Sequence, residues 1–468
     1  MRKIYLFYLM SLLVLGSCQR DDVYMTSQMS LNESEQREVS VISVSAAERG
    51  LNLVLGDLYA DTRSGAVPTI IQTELISVSD FIEEEYRDNV PGYDNKFYLA
   101  KIDEGGGVYG TAIMGATPNL PSIIAIINNT EFTLEDCRAA WLNICSEYGV
   151  SYEDDTRGTI IDPTDGPLPL TPTSDDVIGL IIGTLNPYRG QLLDTQIDTL
   201  SCIHNVHVNI PPILKSKFNQ DSPYNDQYKY YGYGRNYYAG CVIIALAQII
   251  CHNKIEYGKD PALPGIDWES IESAIEKQNG AVSVEDITYE PNEEQALALL
   301  CISICNKVYT GQDSSTGATS SRIGKARKFL EDHGYQNVDK REYNGDYVYA
   351  MVAQGLPVYV RGGCTECTGA HAWVIDGYYQ YDEICEIRTT NTYQYGNPVV
   401  TEEVVVKEYE TLVHCNMGWG GEKDGYYYHK IFDTEDDKLR GPDAADNVTR
   451  SCDARDYSQN NKIITYNL

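Results

Sequence analysis

The chain has 468 residues, a length typical of two or three folded units and too long for one small module. Its 36 Lys and Arg stand against 68 Asp and Glu, a formal net charge of −32 that leaves no basic stripe for nucleic-acid phosphates or an anionic membrane surface. The apolar share of 43% and the charged share of 22% suffice for a sizeable core and are unlike a disordered chain. We therefore expect a folded acidic protein without a nucleic-acid partner.

The N-terminus has the layout of a secretory signal. Two basic residues precede an apolar run from Ile4 to Leu15, which is shorter than the roughly 20 residues of a membrane-spanning helix. Small residues then precede Cys18, as in a bacterial lipoprotein processing box, so we expect residues 1–18 to be a lipoprotein signal peptide and processing box, with Cys18 as the lipidated first residue after cleavage. An ordinary cleaved signal is the alternative. The prediction is an exported outer-membrane lipoprotein that faces the periplasm or the cell surface, or is released after maturation, with membrane contact only through the lipid.

Composition divides the rest of the chain. Residues 19–45 are polar and aperiodic, which indicates a flexible tether. Residues 46–190 include short apolar runs typical of a small antiparallel sheet, a helical stretch at 133–148 and a Pro-rich linker at 154–175. In residues 191–468 helices are predicted before strands, which indicates an α+β domain; the helices are expected at 242–250, 293–308 and 322–333, and the strands at 358–360, 371–375, 404–406 and 426–428.

One of the 13 Cys stands out by its surroundings. Cys241 follows Gly240 at the start of an apolar helix, where free N–H groups and the helix dipole favour a thiolate. A thiolate nucleophile needs an imidazole, and the imidazole needs an acceptor that orients it. His371 at the start of a strand and Asn416 on a later strand supply these groups in chain order. His414 stays open as a competitor for the imidazole role.

Five ordered motifs resemble the streptopain-type secreted cysteine proteases of bacteria. They are Phe218 to Asn225, Ala239 to Val242 with Ala247 to Ile250, Thr316 to Ser321, His371 to Gly377, and Asn416 to Gly421 with Asp424 to Tyr426. The resemblance implies a papain-like catalytic domain at 191–468, preceded by an inhibitory pro-domain with its linker at 46–190.

The resemblance also implies roles for single residues. Cys241 would be the nucleophile, His371 the general base and acid, and Asn416 the residue that orients the imidazole. Gln220 would be the side-chain donor of the oxyanion hole, beside the Cys241 backbone N–H. Three residues would lie at the substrate cleft or shield it, namely Trp419, Gly240 and Ala370. The substrates would be proteins or peptides, and no metal or organic cofactor is expected.

Three features depart from the family pattern or add to it. Met417 stands where the family has Trp. The segment from Arg388 to Val406 resembles an inserted β-hairpin. Cys364 and Cys367 precede His371, and because two further ligands are not evident, a disulfide or free thiols are expected rather than zinc.

Maturation and the reaction class leave further questions open. A maturation cut is expected between about Asn186 and Lys217, with Arg189, Lys215 and Lys217 as candidate positions. The alternatives to a protease are a transglutaminase-like acyltransferase and an inactive surface-binding protein on the same fold.

Overall fold

The computed structural model describes most of the predicted catalytic region and part of the N-terminal region. The described residues are 41–60, 67–77, 96–117, 120–133, 192–232, 235–279, 281, 284, 287–312, 318–363, 370–393, 399–429 and 461–468. The signal peptide with Cys18, most of the tether, the helix predicted from 133, the Pro-rich linker, Arg189 and the pair Cys364 and Cys367 lie outside them.

The N-terminal region is one helix and four strands. Helix α1 spans Val44–Tyr59, and the strands are β1 Thr69–Ser77, β2 Lys96–Gly105, β3 Val108–Gly115 and β4 Ile123–Ile127. Strands β2, β3 and β4 confirm the small antiparallel sheet that the short apolar runs predicted. Helix α1 begins at Val44, within the last residues of the tether predicted over 19–45. Four of its side chains recur at helical spacing and are buried, so an amphipathic pattern was present: Leu51, Val54, Leu55 and Leu58.

The described part of residues 191–468 combines helices with an antiparallel sheet, so the predicted α+β class is confirmed. The predicted order of helices before strands is not observed, because three strands precede the first helix. The helices are α2 Cys241–Tyr257, α3 Trp268–Gln278, α4 Pro291–Val308, α5 Ile323–Asp332 and α6 Gly345–Val352. The strands are β5 Leu192–Ile210, β6 Tyr230–Gly232, β7 Arg235–Asn236, β8 Tyr309–Gln312, β9 Thr319–Ser321, β10 Gln336–Glu342, β11 Val358–Gly363, β12 Ala370–Tyr393, β13 Val399–Asn416, β14 Gly425–Tyr428 and β15 Lys462–Asn467. In the described part of the chain, none of the helices is long and apolar enough to cross a bilayer.

A single antiparallel sheet joins the two regions. Its strand order is β1-β2-β3-β4-β14-β13-β12-β11-β15-β10, and β5 pairs with β12. The junction is the β4 and β14 pair, in which Ile127 lies opposite Gly425 and Ile126 opposite Tyr426. The N-terminal strands therefore extend the sheet that carries the predicted site residues.

Strand β12 has two neighbours on the side away from β13. Its first residues pair with β11, and its residues from Tyr378 onward pair with β5. Beyond this point β12 and β13 continue as a hairpin in which Arg388 lies opposite Glu402. The hairpin predicted over Arg388 to Val406 is thus confirmed, and β5 forms a third strand beside it.

Two hydrophobic clusters fix the layers around the sheet. One surrounds α2, whose residues from Val242 to Asn253 are all buried. The other lies under α1 and joins its apolar side chains to Tyr98 of β2, Tyr379 and Tyr381 of β12, and Tyr426 of β14. Helix α1 therefore packs on strands of both regions.

Shortening a buried side chain of α1 tests this packing. Leu55 is 0% exposed and Leu53 is 43% exposed on the same helix. We expect Leu55→Ala to lower the free energy of unfolding by about 2–5 kcal/mol because it leaves a cavity, and Leu53→Ala to change it by about 0.5 kcal/mol or less. Urea unfolding of the chain from residue 19 measures both; equal effects would show that α1 does not pack as described.

Candidate active site

Cys241 is the first residue of α2, and the backbone before it explains its position. Gly240 has a φ of 96°, a conformation that side chains rarely adopt. A Cβ at Gly240 would lie 2.8 Å from the carbonyl oxygen of Thr319. The Gly240 carbonyl accepts the N–H groups of Ile243 and Ile244 at 3.0 and 3.1 Å, which starts the helix. Glycine is therefore needed here to place Cys241 at the head of a buried helix.

The thiol of Cys241 lies against the start of β12. The backbone N–H of Ala372, the residue that follows His371, lies near enough to the sulfur to lower the pKa of the thiol. Burial raises the pKa of the Cys241 thiol, while the N–H of Ala372, the charge of Arg361 and the N–H groups of Val242 and Cys241 act in the opposite direction. The helix start favours the thiolate as the sequence predicts, but the cost of burying the charge is larger.

The imidazole of His371 is held by a backbone carbonyl and two aromatic rings. Its Nε2 lies 3.0 Å from the Met417 oxygen, and its ring stacks on Trp419 with centroids 4.3 Å apart and on Trp373 at 6.0 Å. The pKa of His371 is lowered to about 3, chiefly because the ring is buried; the Met417 carbonyl acts in the opposite direction, and the charge of Lys423 contributes to the lowering. Because a carbonyl only accepts, Nε2 carries the proton of a neutral ring.

The amide of Asn416 is not brought to the imidazole. Its Nδ2 donates to the Ser216 carbonyl at 2.9 Å, and its Oδ1 accepts the N–H of Gly418 at 3.2 Å. The acceptor at the His371 ring is instead the carbonyl of the next residue, Met417. Gly418, with a φ of 72°, turns the chain there. Asn416 thus supports the backbone that orients the imidazole, and the predicted direct contact is not the observed arrangement.

Gln220 lies close to the head of α2. Its carbonyl accepts the N–H of Ala239 at 2.9 Å, and its own N–H donates to Asn219 Oδ1 at 2.7 Å. The loop is also tied to α2, because Gln248 Oε1 accepts the N–H of Phe218 at 3.2 Å. In the described residues no hydrogen bond engages the half-buried side-chain amide of Gln220, so this group is available to a substrate carbonyl.

Trp419 covers one face of the His371 ring. It is half-buried, and the Lys423 Nζ lies 5.5 Å from its ring centroid. Its stacking on the imidazole is the contact that a shielding role requires. Ala370 lies opposite Gly363 at the start of β12, one residue before His371.

The competing histidine has a different partner. Nδ1 of His414 lies 2.6 Å from Asp376 Oδ1, and both residues are buried.

A surface cavity of about 270 Å³ lies away from the candidate site. Its lining includes Ile213, His252 and Gly355, but neither Cys241 nor His371. Across the described ranges, no group of three or more His, Cys, Asp or Glu could hold a metal ion.

Residues 218–427 match the model of a family described as the Peptidase C10 family. The matched range contains the thiol, the imidazole and the loop after Asn416. This part of the chain is therefore a cysteine-type endopeptidase domain, and its motifs resemble those of the streptopain type.

Two solved structures are similar to the chain at low identity. A mutant fragment of prointerpain A from Prevotella intermedia is 15% identical over 84% of this chain and 98% of that chain, with a TM-score of 0.42. The active wild-type interpain A cysteine protease of the same species is 17% identical over 56% of this chain and 95% of that chain, with a TM-score of 0.35. No curated protein matches. The enzyme class rests on the family match.

A side chain at Gly240 tests how the nucleophile is placed. We expect Gly240→Ala to destabilise the protein by about 1–3 kcal/mol, because the new Cβ meets Thr319 in a conformation that suits glycine. Gly56 of α1 has nothing within 4 Å of such a Cβ, so Gly56→Ala should stabilise by about 0.4–1 kcal/mol. Thermal unfolding compares the two; similar shifts of both variants would refute the constraint.

Proposed function

We propose that the chain is the precursor of an exported cysteine endopeptidase in which Cys241 and His371 form the catalytic pair. The observation that carries the proposal is the position of Cys241 at the head of α2, where the backbone N–H of Ala372 acts on its thiol, next to a histidine whose ring has a fixed acceptor. The substrates are proteins or peptides, whose amide bonds this chemistry hydrolyses.

The ring geometry supports a specific division of labour. Because Nε2–H of His371 donates to Met417, Nδ1 is the nitrogen that can take the proton of the Cys241 thiol. The thiolate then adds to the peptide carbonyl, and Nδ1–H passes the proton to the leaving amine as the C–N bond breaks. Water attacks the thioester, gives its proton to Nδ1, and the acid leaves as the sulfur is released.

The proposed oxyanion site lies at the head of α2, beside the Cys241 thiol. The Cys241 N–H at the head of α2 and the free side-chain amide of Gln220 are the two proposed donors. The negative charge that develops on the carbonyl oxygen makes each such donor worth on the order of 2.7–4 kcal/mol in comparable hydrolases.

The N-terminal region is proposed as the intramolecular inhibitor. The Asn128 N–H, just after β4, donates to the Asp424 carbonyl at 2.9 Å, and β4 pairs with β14. These contacts reach the loop that carries Met417 and Trp419, so the N-terminal strands brace the backbone against which His371 is held. In this form burial favours an uncharged thiol and an uncharged imidazole.

The maturation cut is proposed to lie before β5. Residues from Ile213 to Phe218 are bonded to the catalytic region: Ile213 N–H donates to Asp376 O, Lys217 N–H to Gln278 Oε1, and Ser216 O accepts from Asn416. Cleavage at Lys215 or Lys217 would interrupt this segment. Arg189 precedes β5 and is the candidate that leaves it intact. Lipidation at Cys18 and an outer-membrane location remain part of the proposal.

Self-processing and casein cleavage test the catalytic role. We expect the chain from residue 19 to process itself and cleave casein, and Cys241→Ala to lose both activities by at least about 10³-fold because no nucleophile remains. Cys305→Ala, which removes a buried thiol from α4, is the matched control and should stay active.

Other outcomes would separate the rivals. Full casein cleavage by the folded Cys241→Ala variant would contradict the proposal. Turnover that requires an added amine would favour an acyltransferase.

Alkylation of Cys241 tests the uncharged state of the precursor. A thiol with a raised pKa is unreactive at neutral pH, so the iodoacetamide rate should rise only in alkaline solution, above the ordinary thiol range near pH 8.5. After processing we expect a second, reactive plateau between about pH 5 and 7, as an ion pair with His371 forms. Mass spectrometry of the modified peptide, with Cys241→Ala as the blank, measures both; a neutral-pH plateau already present in the precursor would contradict this state.

A further inference from the structure

Asp424 is a buried carboxyl group that the mechanism above does not use. It is 5% exposed and lies at the end of the loop between β13 and β14. Its Oδ1 accepts the backbone N–H of Met417 at 2.7 Å. Met417 is the residue whose carbonyl holds the His371 ring.

The Met417 peptide is thus fixed through its own N–H. On the following residue, the Gly418 N–H donates to Asn416 Oδ1, and a Cβ at Gly418 would lie 2.9 Å from Ile244 Cγ2 of α2. The loop therefore packs closely on α2 at Gly418, and Asp424 holds the preceding residue by its N–H. The chain of contacts runs from the carboxylate to the Met417 N–H, and from the Met417 carbonyl to Nε2 of His371.

We propose that Asp424 is a positioning residue of the protease, which orients His371 through the backbone of Met417. This inference rests on the proposed function. Asp424 does not contact the thiol or the substrate; it sets where the acceptor carbonyl lies and therefore which ring nitrogen faces Cys241. A hydrogen bond to a charged acceptor is about twice as strong as a neutral one, which suits a carboxylate to this role.

The charged groups around Asp424 come from several elements. Burial raises the pKa of Asp424 to about 6; His414 of β13, the Met417 N–H and Lys217 lower it, and Asp376 of β12 raises it. Tyr427 of β14 also senses the Asp424 charge. The carboxyl is therefore ionised above about pH 6 and protonated below it. The charge-assisted bond to Met417 is present on the alkaline side and is lost as pH falls.

The test compares Asp424→Ala and Asp424→Asn in the processed enzyme, with Glu422→Gln as control. Glu422 is an exposed carboxylate of the same loop, with a side chain 47% exposed. Asp424→Ala removes the acceptor, so we expect kcat to fall about 10- to 100-fold, the range for a displaced catalytic group, while KM changes less than about twofold. Asp424→Asn keeps only a neutral acceptor, so we expect its kcat at pH 8 to lie between those of Asp424→Ala and the wild type, near the value that the wild type approaches once Asp424 is protonated.

The dependence of kcat on pH distinguishes a positioning role of Asp424 from a purely structural one, because a structural role would leave this dependence unchanged. In the wild type and Glu422→Gln we expect kcat to decline as pH falls through about 6, with the ionisation of Asp424 contributing to the decline. In Asp424→Asn that contribution should disappear, and the decline should move to lower pH. An unchanged profile in Asp424→Asn, or a kcat of folded Asp424→Ala within about twofold of wild type, would overturn the inference.

Two controls keep the outcomes separate. If Asp424→Ala does not fold, as judged by its thermal midpoint, the profile of Asp424→Asn decides alone. If the wild type hydrolyses no peptide, the proposed function fails. If the wild type is active, Cys241→Ala is inactive, and the Asp424 variants behave as wild type, only this inference fails.

Discussion

The hydrogen bond between Nε2 of His371 and the Met417 carbonyl is the constraint on which the site depends. A neutral imidazole has one donor and one acceptor, so fixing the donor at Nε2 leaves Nδ1 as the base. The acceptor belongs to the backbone, and its position is set by the turn at Gly418, by the amide of Asn416 and by Asp424. The orientation of the imidazole that we propose as the base therefore follows from the path of one loop rather than from one side chain.

The same loop lies at the junction of the two regions. It leaves β13 after Asn416 and enters β14 at Gly425, the strand that pairs with β4. One continuous sheet thus connects the N-terminal strands to the residues that stack on and bond to His371. In the described structure the His371 ring is buried, its pKa is lowered, and the pKa of the half-buried Cys241 thiol is raised. Separation of β4 from β14 would change the support of the loop, which links processing of the precursor to the state of the catalytic pair.

Much of the catalytic region could be predicted from sequence, because strong local signals were present. The apolar run after Cys241 predicted the buried helix, and the runs around His371 and Tyr426 predicted strands that the structure confirms. The proposed pairing of Cys241 with His371 followed from chemistry and from the ordered motifs. Each of these signals depends on side-chain type.

What the sequence did not reveal depends on backbone or on tertiary pairing. The Met417 carbonyl is an acceptor that any residue provides, so its role has no side-chain signature. Strand β5 alternates between apolar and polar residues only at its end, from Val206 to Ile210; its residues from Asp194 to Thr199 are mostly polar, and there it is a strand because β12 offers it a partner. Helix α1 has an apolar stripe, but neither a side-chain cap nor an acidic residue in the first turn marks its start at Val44.

The most direct test of the account is the protonation state of His371 by nitrogen NMR of the precursor with labelled histidine, assigned with a His371→Gln variant. The account predicts a neutral ring with the proton on Nε2 that stays uncharged down to about pH 4, because burial lowers its pKa to about 3. A His371 signal that titrates near its ordinary value of about 6.5, or a ring with its proton on Nδ1, would contradict it.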